Sequence, residues 1–208
     1  MKIKIENKLI GEDELCFIIA EAGINHNNSL DLAKKMIDVA KEAGCDAIKF
    51  QTFKAKLMYP KTAGTYETDG NIISIYDAME KIELPESWIP ELMSYCKQKN
   101  IIFFTSVSDK WSVDIMNKYG MNVFKLTSYD TTNIPLLEYT AKKNKPVIMS
   151  VGGAYLNEVD EAIKTVKNYN NELAVMHCVI KYPALLENCN LNSLETLRLV
   201  YPDVVIGY

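Results

Sequence analysis

Two segments of this chain place a lysine inside an apolar run and follow it closely with further polar groups. In IKFQTF, period-two alternation puts Lys49 and Gln51 on one face of an extended strand and Phe50 on the other. In VFKLTSYD, Lys125 takes the same place, with Ser128 and Asp130 just beyond the run. A third run, IIAEAGINHNNS, carries Glu21 in its middle, with Gly23 permitting a tight turn after it. A charge in an apolar strand is costly unless paired. Glu21 could serve only to pair a neighbouring strand's lysine. Two lysines and one glutamate still leave a positive surplus, which suits a ligand with phosphate or carboxylate groups. Ser106, Ser128 and Ser150 close such runs and add neutral donors. Gly152 and Gly153 would let backbone N–H groups approach an anion closely. One strand-end hydroxyl means little; their recurrence is the signal.

The runs that must position these groups cover 17–23, 47–52, 101–106, 123–128, 146–151, 173–178 and 204–208. Each ends in polar or glycine residues, and most then give way to a helical stretch. Alternating strand and helix signals imply a parallel sheet with crossover helices. In a (β/α)8 barrel the C-terminal strand ends converge on one face, where the active site lies. The expected fold is therefore α/β, a TIM (β/α)8-type barrel, incomplete over this chain with about seven strands. A smaller open α/β sheet is the alternative. Helices are expected over 30–43, 74–81, 86–99, 110–119, 135–143, 156–169 and 193–200. Ser29 should cap the first and Gly44 stop it, with Leu32, Met36, Ile37 and Ala40 as its apolar stripe. Residues 1–15 read as a strand or hairpin turning at Glu6 and Asn7. The polar insert 53–73 reads as a long loop, either an active-site flap or a mobile surface segment.

Bulk properties narrow the class. A chain of 208 residues that is 48% hydrophobic suits one globular domain with a substantial core. A net charge of −4 argues against a nucleic-acid partner held by a broad basic face. No apolar run approaches the ~20 residues of a membrane helix, and MKIKIENKLIGEDEL lacks a signal peptide's apolar stretch. No membrane partner and a cytoplasmic location are expected. The five cysteines are odd in number and show no CxxC spacing, so free thiols are expected. Cys45 and Cys178 read as core filler. Two histidines, His26 and His177, are too few for a histidine metal site without carboxylates. His177 is taken as structural, and no metal ligand is assigned within the chain.

IIAEAGINHNNSLDLAKKMIDVAKEAGCDAIKFQTF resembles the opening of the sialic-acid synthases, which make N-acetylneuraminate, legionaminate or pseudaminate. The resemblance continues through GNIISIYDAMEKIELP, IIFFTS, FKLTSYDTTNIPLLE, KPVIMSVGGA and MHCVIKYP, and so covers nearly the whole chain. It implies a TIM barrel followed by a small antifreeze-like domain. It also implies a reaction: phosphoenolpyruvate condenses with an N-acylated hexosamine to give a nine-carbon 2-keto acid and phosphate. By resemblance, Lys49, Ser106, Lys125, Ser128 and Ser150 match positions that hold phosphoenolpyruvate. Glu21 matches a carboxylate near the reacting carbons. Gln51, Asn71 and Tyr182 match positions near the acceptor sugar. Asp130 falls where some members carry glutamate.

The resemblance further implies a divalent metal, Mn²⁺ or Mg²⁺, with its histidine ligands beyond residue 208, and a homodimer at full length. Residues 1–208 are then expected to be the barrel part of a longer protein and inactive alone. Two departures stand out. Asn28 replaces the glycine of HNGS, and asparagine is well tolerated if that position needs positive φ. Ile180 and Lys181 stand where a small polar residue is common. Another phosphoenolpyruvate-condensing sugar-acid synthase is one rival reading. A non-catalytic fragment or polysaccharide-assembly protein on the same scaffold is the other.

Overall fold

The computed structural model describes residues 1–68 and 70–208. The chain divides into two compact units: Phe17–Met121, and a split unit made of Met1–Cys16 and Asn122–Tyr208. The split unit opens with the antiparallel hairpin β1 (Lys2–Ile5) and β2 (Lys8–Gly11). Alternation decides its faces: Ile3 and Ile5 are buried while Lys2 and Lys4 are exposed. The turn falls at Glu6, whose φ of 52° is left-handed.

The Phe17–Met121 unit holds three parallel strands, β3 (Ile19–Gly23), β4 (Ala47–Thr52) and, later in the chain, β7 (Ile102–Val107). Helix α1 (Leu30–Glu42) crosses between β3 and β4, capped by the Ser29 hydroxyl accepting from Leu32 N–H at 3.2 Å. Its buried stripe is Ala33, Ile37 and Ala40. Leu32 and Met36, expected in that stripe, are only half-buried. The helix is turned so that small Ala33 faces the sheet, leaving the bulkier neighbours at the flanks.

The insert after β4 is not an open loop. It forms the short helix α2 (Ala55–Met58) and an antiparallel hairpin, β5 (Thr65–Thr68) with β6 (Asn71–Ser74). Glu83 ties α2 down by accepting from Ala55 N–H at 2.7 Å and pairing with Lys54 at 2.7 Å. Helices α3 (Ile75–Lys81) and α4 (Ile89–Lys99) follow, and α5 (Lys110–Lys118) follows β7 behind an Asp109/Ser112 capping box. Phe50 and Phe104 are fully buried, and Phe50 stacks on Phe103 at 5.7 Å.

The split unit continues with β8 (Phe124–Leu126), α6 (Ile134–Ala141), β9 (Val147–Ser150), α7 (Leu156–Lys167), β10 (Leu173–Met176), α8 (Ser193–Val200) and β11 (Val205–Gly207). These strands lie in the order β8-β9-β10-β11, all parallel. Strand, helix, strand therefore repeats as the periodicity predicts. Among the described residues no helix is long and apolar enough to cross a membrane.

Candidate active site

Polar side chains collect at the C-terminal ends of the parallel strands in each unit. In the Phe17–Met121 unit, Glu21 of β3 stands in register with Lys49 of β4, and Gln51 of β4 with Ser106 of β7. Parallel neighbours in register point to the same side of a sheet, so these groups share one face. Lys49 is buried and its ammonium forms an ion pair with the Glu21 carboxylate. The Glu21 side chain is 49% exposed, so it faces solvent as well as the lysine. Gly23 sits against this pair: a Cβ there would lie 3.1 Å from Glu21 Oε1 and 3.5 Å from Gln51 Nε2. With its φ of 55°, the glycine serves both the turn and the close approach. Ser106 is buried beside them. On the opposite face, Thr52 and Thr105 hydroxyls hydrogen-bond at 3.0 Å, a buried polar pair that satisfies itself.

The turn after β3 is held by its own side chains. Asn27 and Asn28 both have positive φ, 46° and 55°. Asparagine therefore fills a left-handed position in place of glycine, and its amide adds a bond a glycine lacks, to the Lys81 carbonyl. His26 is fully enclosed; its Nδ1 accepts from Asn28 N–H at 3.2 Å, and its ring meets Trp88 edge-on at 5.7 Å. Nδ1 is thus the acceptor and Nε2 carries the proton, with no hydrogen-bond partner among the described residues. Burial holds the imidazole below its ordinary value of 6.5, that is, neutral.

In the split unit the second lysine is the centre. Lys125 is buried, and its ammonium donates to the Leu126 carbonyl and the Ser150 hydroxyl, each at 2.6 Å. Thr131 Oγ1 lies within bonding distance of the Ser128 carbonyl (2.9 Å) and the Ser150 carbonyl (3.0 Å) and can donate its one proton to either. Ser128 Oγ accepts from Gly152 N–H at 3.0 Å and lies 2.9 Å from Cys178 Sγ. Asp130 is buried, and its Oδ2 accepts from Thr127 N–H (3.2 Å) and Thr127 Oγ1 (2.6 Å), closing the short 3₁₀ turn Ser128–Asp130.

Three sequence expectations change here. Gly152 N–H, expected to approach an anion, is instead spent on Ser128. The glycine pair is small for packing: a Cβ on Gly152 would lie 2.6 Å from both the Cys178 carbonyl and its sulfur, and one on Gly153 2.6 Å from Ile180 Cδ1. Cys178 is not core filler, because its thiol is half-buried and meets a candidate ligand-binding hydroxyl. Asp130 has a turn-closing role that its spacing did not announce. Sequence reasoning missed Thr127, Thr131 and Cys178. Only Cys178 carried a signal, since it closes its run as Ser128 and Ser150 close theirs.

Asn71 opens β6 and is exposed. Tyr182 is 89% exposed on segment 177–192 and precedes a cis proline. His177 Nε2 bonds the Cys189 carbonyl at 2.8 Å. A hydrogen bond with the Cys189 side chain, helped by burial, pushes the nearby Tyr208 phenol up. Among the described residues no three His, Cys, Asp or Glu side chains gather as a metal site. One ring nitrogen of each histidine meets a backbone group, His26 Nδ1 the Asn28 N–H and His177 Nε2 the Cys189 carbonyl.

Comparison with known proteins agrees with this architecture. The chain is 44% identical, over 99% of its length, to the spore coat polysaccharide biosynthesis protein SpsE of Bacillus subtilis, and 39% identical over 92% of its length to the N,N'-diacetyllegionaminic acid synthase of Campylobacter jejuni. It spans 56% and 59% of those proteins, little more than half of each. It superposes on the crystal structure of an N-acetylneuraminic acid synthetase from Leptospira borgpetersenii, in complex with citrate, with a TM-score of 0.91 and 31% identity, covering 100% of this chain and 69% of that one. At 13% identity, a truncated 3-deoxy-D-arabino-heptulosonate 7-phosphate synthase from Thermotoga maritima shares the fold alone, with a TM-score of 0.68, 95% of this chain and 64% of that one being covered. The fold class is thus α/β, of the (β/α)8-barrel type, with seven parallel strands among the described residues. The NeuB family model matches residues 36–208, and the chain belongs to the NeuB family, that of the sialic-acid synthases.

Proposed function

We propose that this chain is the phosphoenolpyruvate-binding part of a nonulosonic-acid synthase. The observation that carries the reading is a buried lysine in each unit, Lys49 and Lys125, each set among polar groups at the C-terminal ends of parallel strands. Phosphoenolpyruvate carries a phosphate and a carboxylate, and buried ammonium and hydroxyl donors suit both. Charge contacts in such surroundings outweigh those in bulk water. The related Leptospira synthetase holds citrate, another anion. Lys49, Lys125, Ser106, Ser128 and Ser150 are assigned to the anionic groups, and Gln51, Asn71 and Tyr182 to the acceptor sugar.

In the reaction proposed, C3 of phosphoenolpyruvate attacks the aldehyde carbon of an open-chain N-acylhexosamine. Water adds at C2, and the tetrahedral intermediate releases phosphate by C–O cleavage, leaving the 2-keto acid. Glu21, paired with Lys49 and open to solvent, is the candidate to handle the proton or the positive charge developing at C2. The reading includes a cytoplasmic homodimer and a divalent metal, Mn²⁺ or Mg²⁺, bound through residues outside 1–208. Because the relatives are nearly twice as long, residues 1–208 by themselves are not expected to complete the reaction. SpsE, named for polysaccharide biosynthesis, favours a coat or surface polysaccharide as the destination of the sugar acid.

Calorimetry with phosphoenolpyruvate and with inorganic phosphate tests the assignment. Lys125→Met keeps the volume and removes the charge. It should weaken binding by ~1.5–3 kcal/mol, the range for a charge-assisted hydrogen bond. Unchanged affinity in that variant would refute it.

A further inference from the structure

The ends of three consecutive parallel strands meet at one oxygen, Ser128 Oγ. Ser128 follows β8, Gly152 follows β9 and Cys178 follows β10. Gly152 N–H donates to Ser128 Oγ at 3.0 Å, and Cys178 Sγ lies 2.9 Å from the same atom. A serine hydroxyl has two lone pairs and one proton. The Gly152 N–H occupies one lone pair. What the thiol does therefore decides where the serine proton points.

Packing fixes the sulfur in this place. The missing side chain of Gly152 makes the room, since a Cβ there would lie 2.6 Å from Cys178 Sγ. Ile180 packs over Gly153. Thr131 Oγ1 lies within reach of the Ser128 and Ser150 carbonyls, with one proton to share between them, and Ser150 meets the Lys125 ammonium at 2.6 Å. An anionic oxygen is a far better acceptor than a thiol sulfur, so with an anion at Lys125 the serine proton belongs on the anion. The thiol can then satisfy the second lone pair of Ser128 only as a donor.

We propose that Cys178 is a positioning residue for anion binding: its S–H donates to Ser128 Oγ, so that Ser128, filled as an acceptor, presents its own proton to the ligand. The inference rests on reading the Lys125 cluster as an anion subsite. Cys178 touches no reacting atom and acts through Ser128.

The test is calorimetric affinity for phosphoenolpyruvate and for inorganic phosphate, in the protein at its full encoded length. Cys178→Ala removes the donor and should weaken binding by about three- to tenfold, the size of one neutral hydrogen bond. Cys178→Ser restores a donor and should stay within about twofold of the parent. In a Ser128→Ala background, Cys178→Ala should cost nothing further, because the group it orients is gone. Equal affinity in Cys178→Ala, or the same loss with and without Ser128, overturns the inference. Should Cys178→Ala fail to fold by thermal melting, a loss beyond about tenfold in a folded Cys178→Ser does the same. A parent protein that binds neither ligand overturns the functional reading and the inference together. Binding lost in Lys125→Met but unchanged in Cys178→Ala overturns the inference alone.

Discussion

The Lys49 ammonium and the Glu21 carboxylate pair across adjacent parallel strands, from positions in direct register. The lysine is buried and the glutamate half-exposed, so the pair presents a shielded cation beside a solvated anion. Removing the carboxylate frees the cation for another anion. Glu21→Gln should lower stability by only about 0.5–1 kcal/mol, given the exposure of the glutamate. It should tighten phosphate binding by about two- to fivefold, because a like charge beside the ligand is gone. Calorimetry and urea unfolding of the one variant check both. Weaker phosphate binding would show that Glu21 positions Lys49 for the ligand.

His26 sets a pH dependence of stability. Its folded value is depressed by burial, so the unfolded chain binds the proton more readily. Its contribution is fully present above the unfolded value of about 6.5. It declines as pH falls through the window below that value, and levels off beneath the folded value. Urea midpoints measured across that window should drop on acidification more steeply in the parent than in His26→Gln. Parallel slopes would show that His26 is not the titrating group.

Asn28 occupies left-handed backbone and bonds the Lys81 carbonyl. Asn28→Ala loses the bond and strains the backbone, and should cost about 1–2 kcal/mol. Asn28→Gly relieves the strain and should cost less. Chemical unfolding of the two variants separates the contributions; an alanine variant as stable as the glycine one would argue against strain at this turn.

Gly152→Ala forces a methyl group onto Cys178 and its carbonyl. Overpacking of this kind should destabilise by about 1–3 kcal/mol. Gly207→Ala, where the new carbon would lie 3.7 Å from Met176, is the control and should be milder. Equal melting temperatures for the two would contradict the close packing around Ser128.

Much of this fold is legible in the sequence because each element announces itself by a local rule. The seven strands follow from apolar runs, and α1 from its serine cap and terminal glycine. Lys49 and Gln51 are placed on one face by alternation alone. The β5–β6 hairpin stays hidden in the sequence, where the polar composition of 53–73 reads as a loop. What else stays hidden depends on distance in three dimensions. Nothing local says that Gly152 N–H turns to Ser128, 24 residues earlier, or that Cys178 meets that same serine from 50 residues away. Thr131 and Thr127 look like ordinary loop hydroxyls until the carbonyls and carboxylate they serve are in place.

The most direct measurement of the condensation follows the bridging oxygen of phosphoenolpyruvate. The protein at its full encoded length, supplied with Mn²⁺, receives phosphoenolpyruvate labelled with ¹⁸O between C2 and phosphorus and a panel of N-acylhexosamines. Mass spectrometry then reads the released phosphate and the sugar acid. A nine-carbon 2-keto acid with one acceptor, all the bridging label in the phosphate, and loss of turnover in Lys125→Met are expected. Label retained in the product, or turnover undiminished in Lys125→Met, would contradict the proposed reaction.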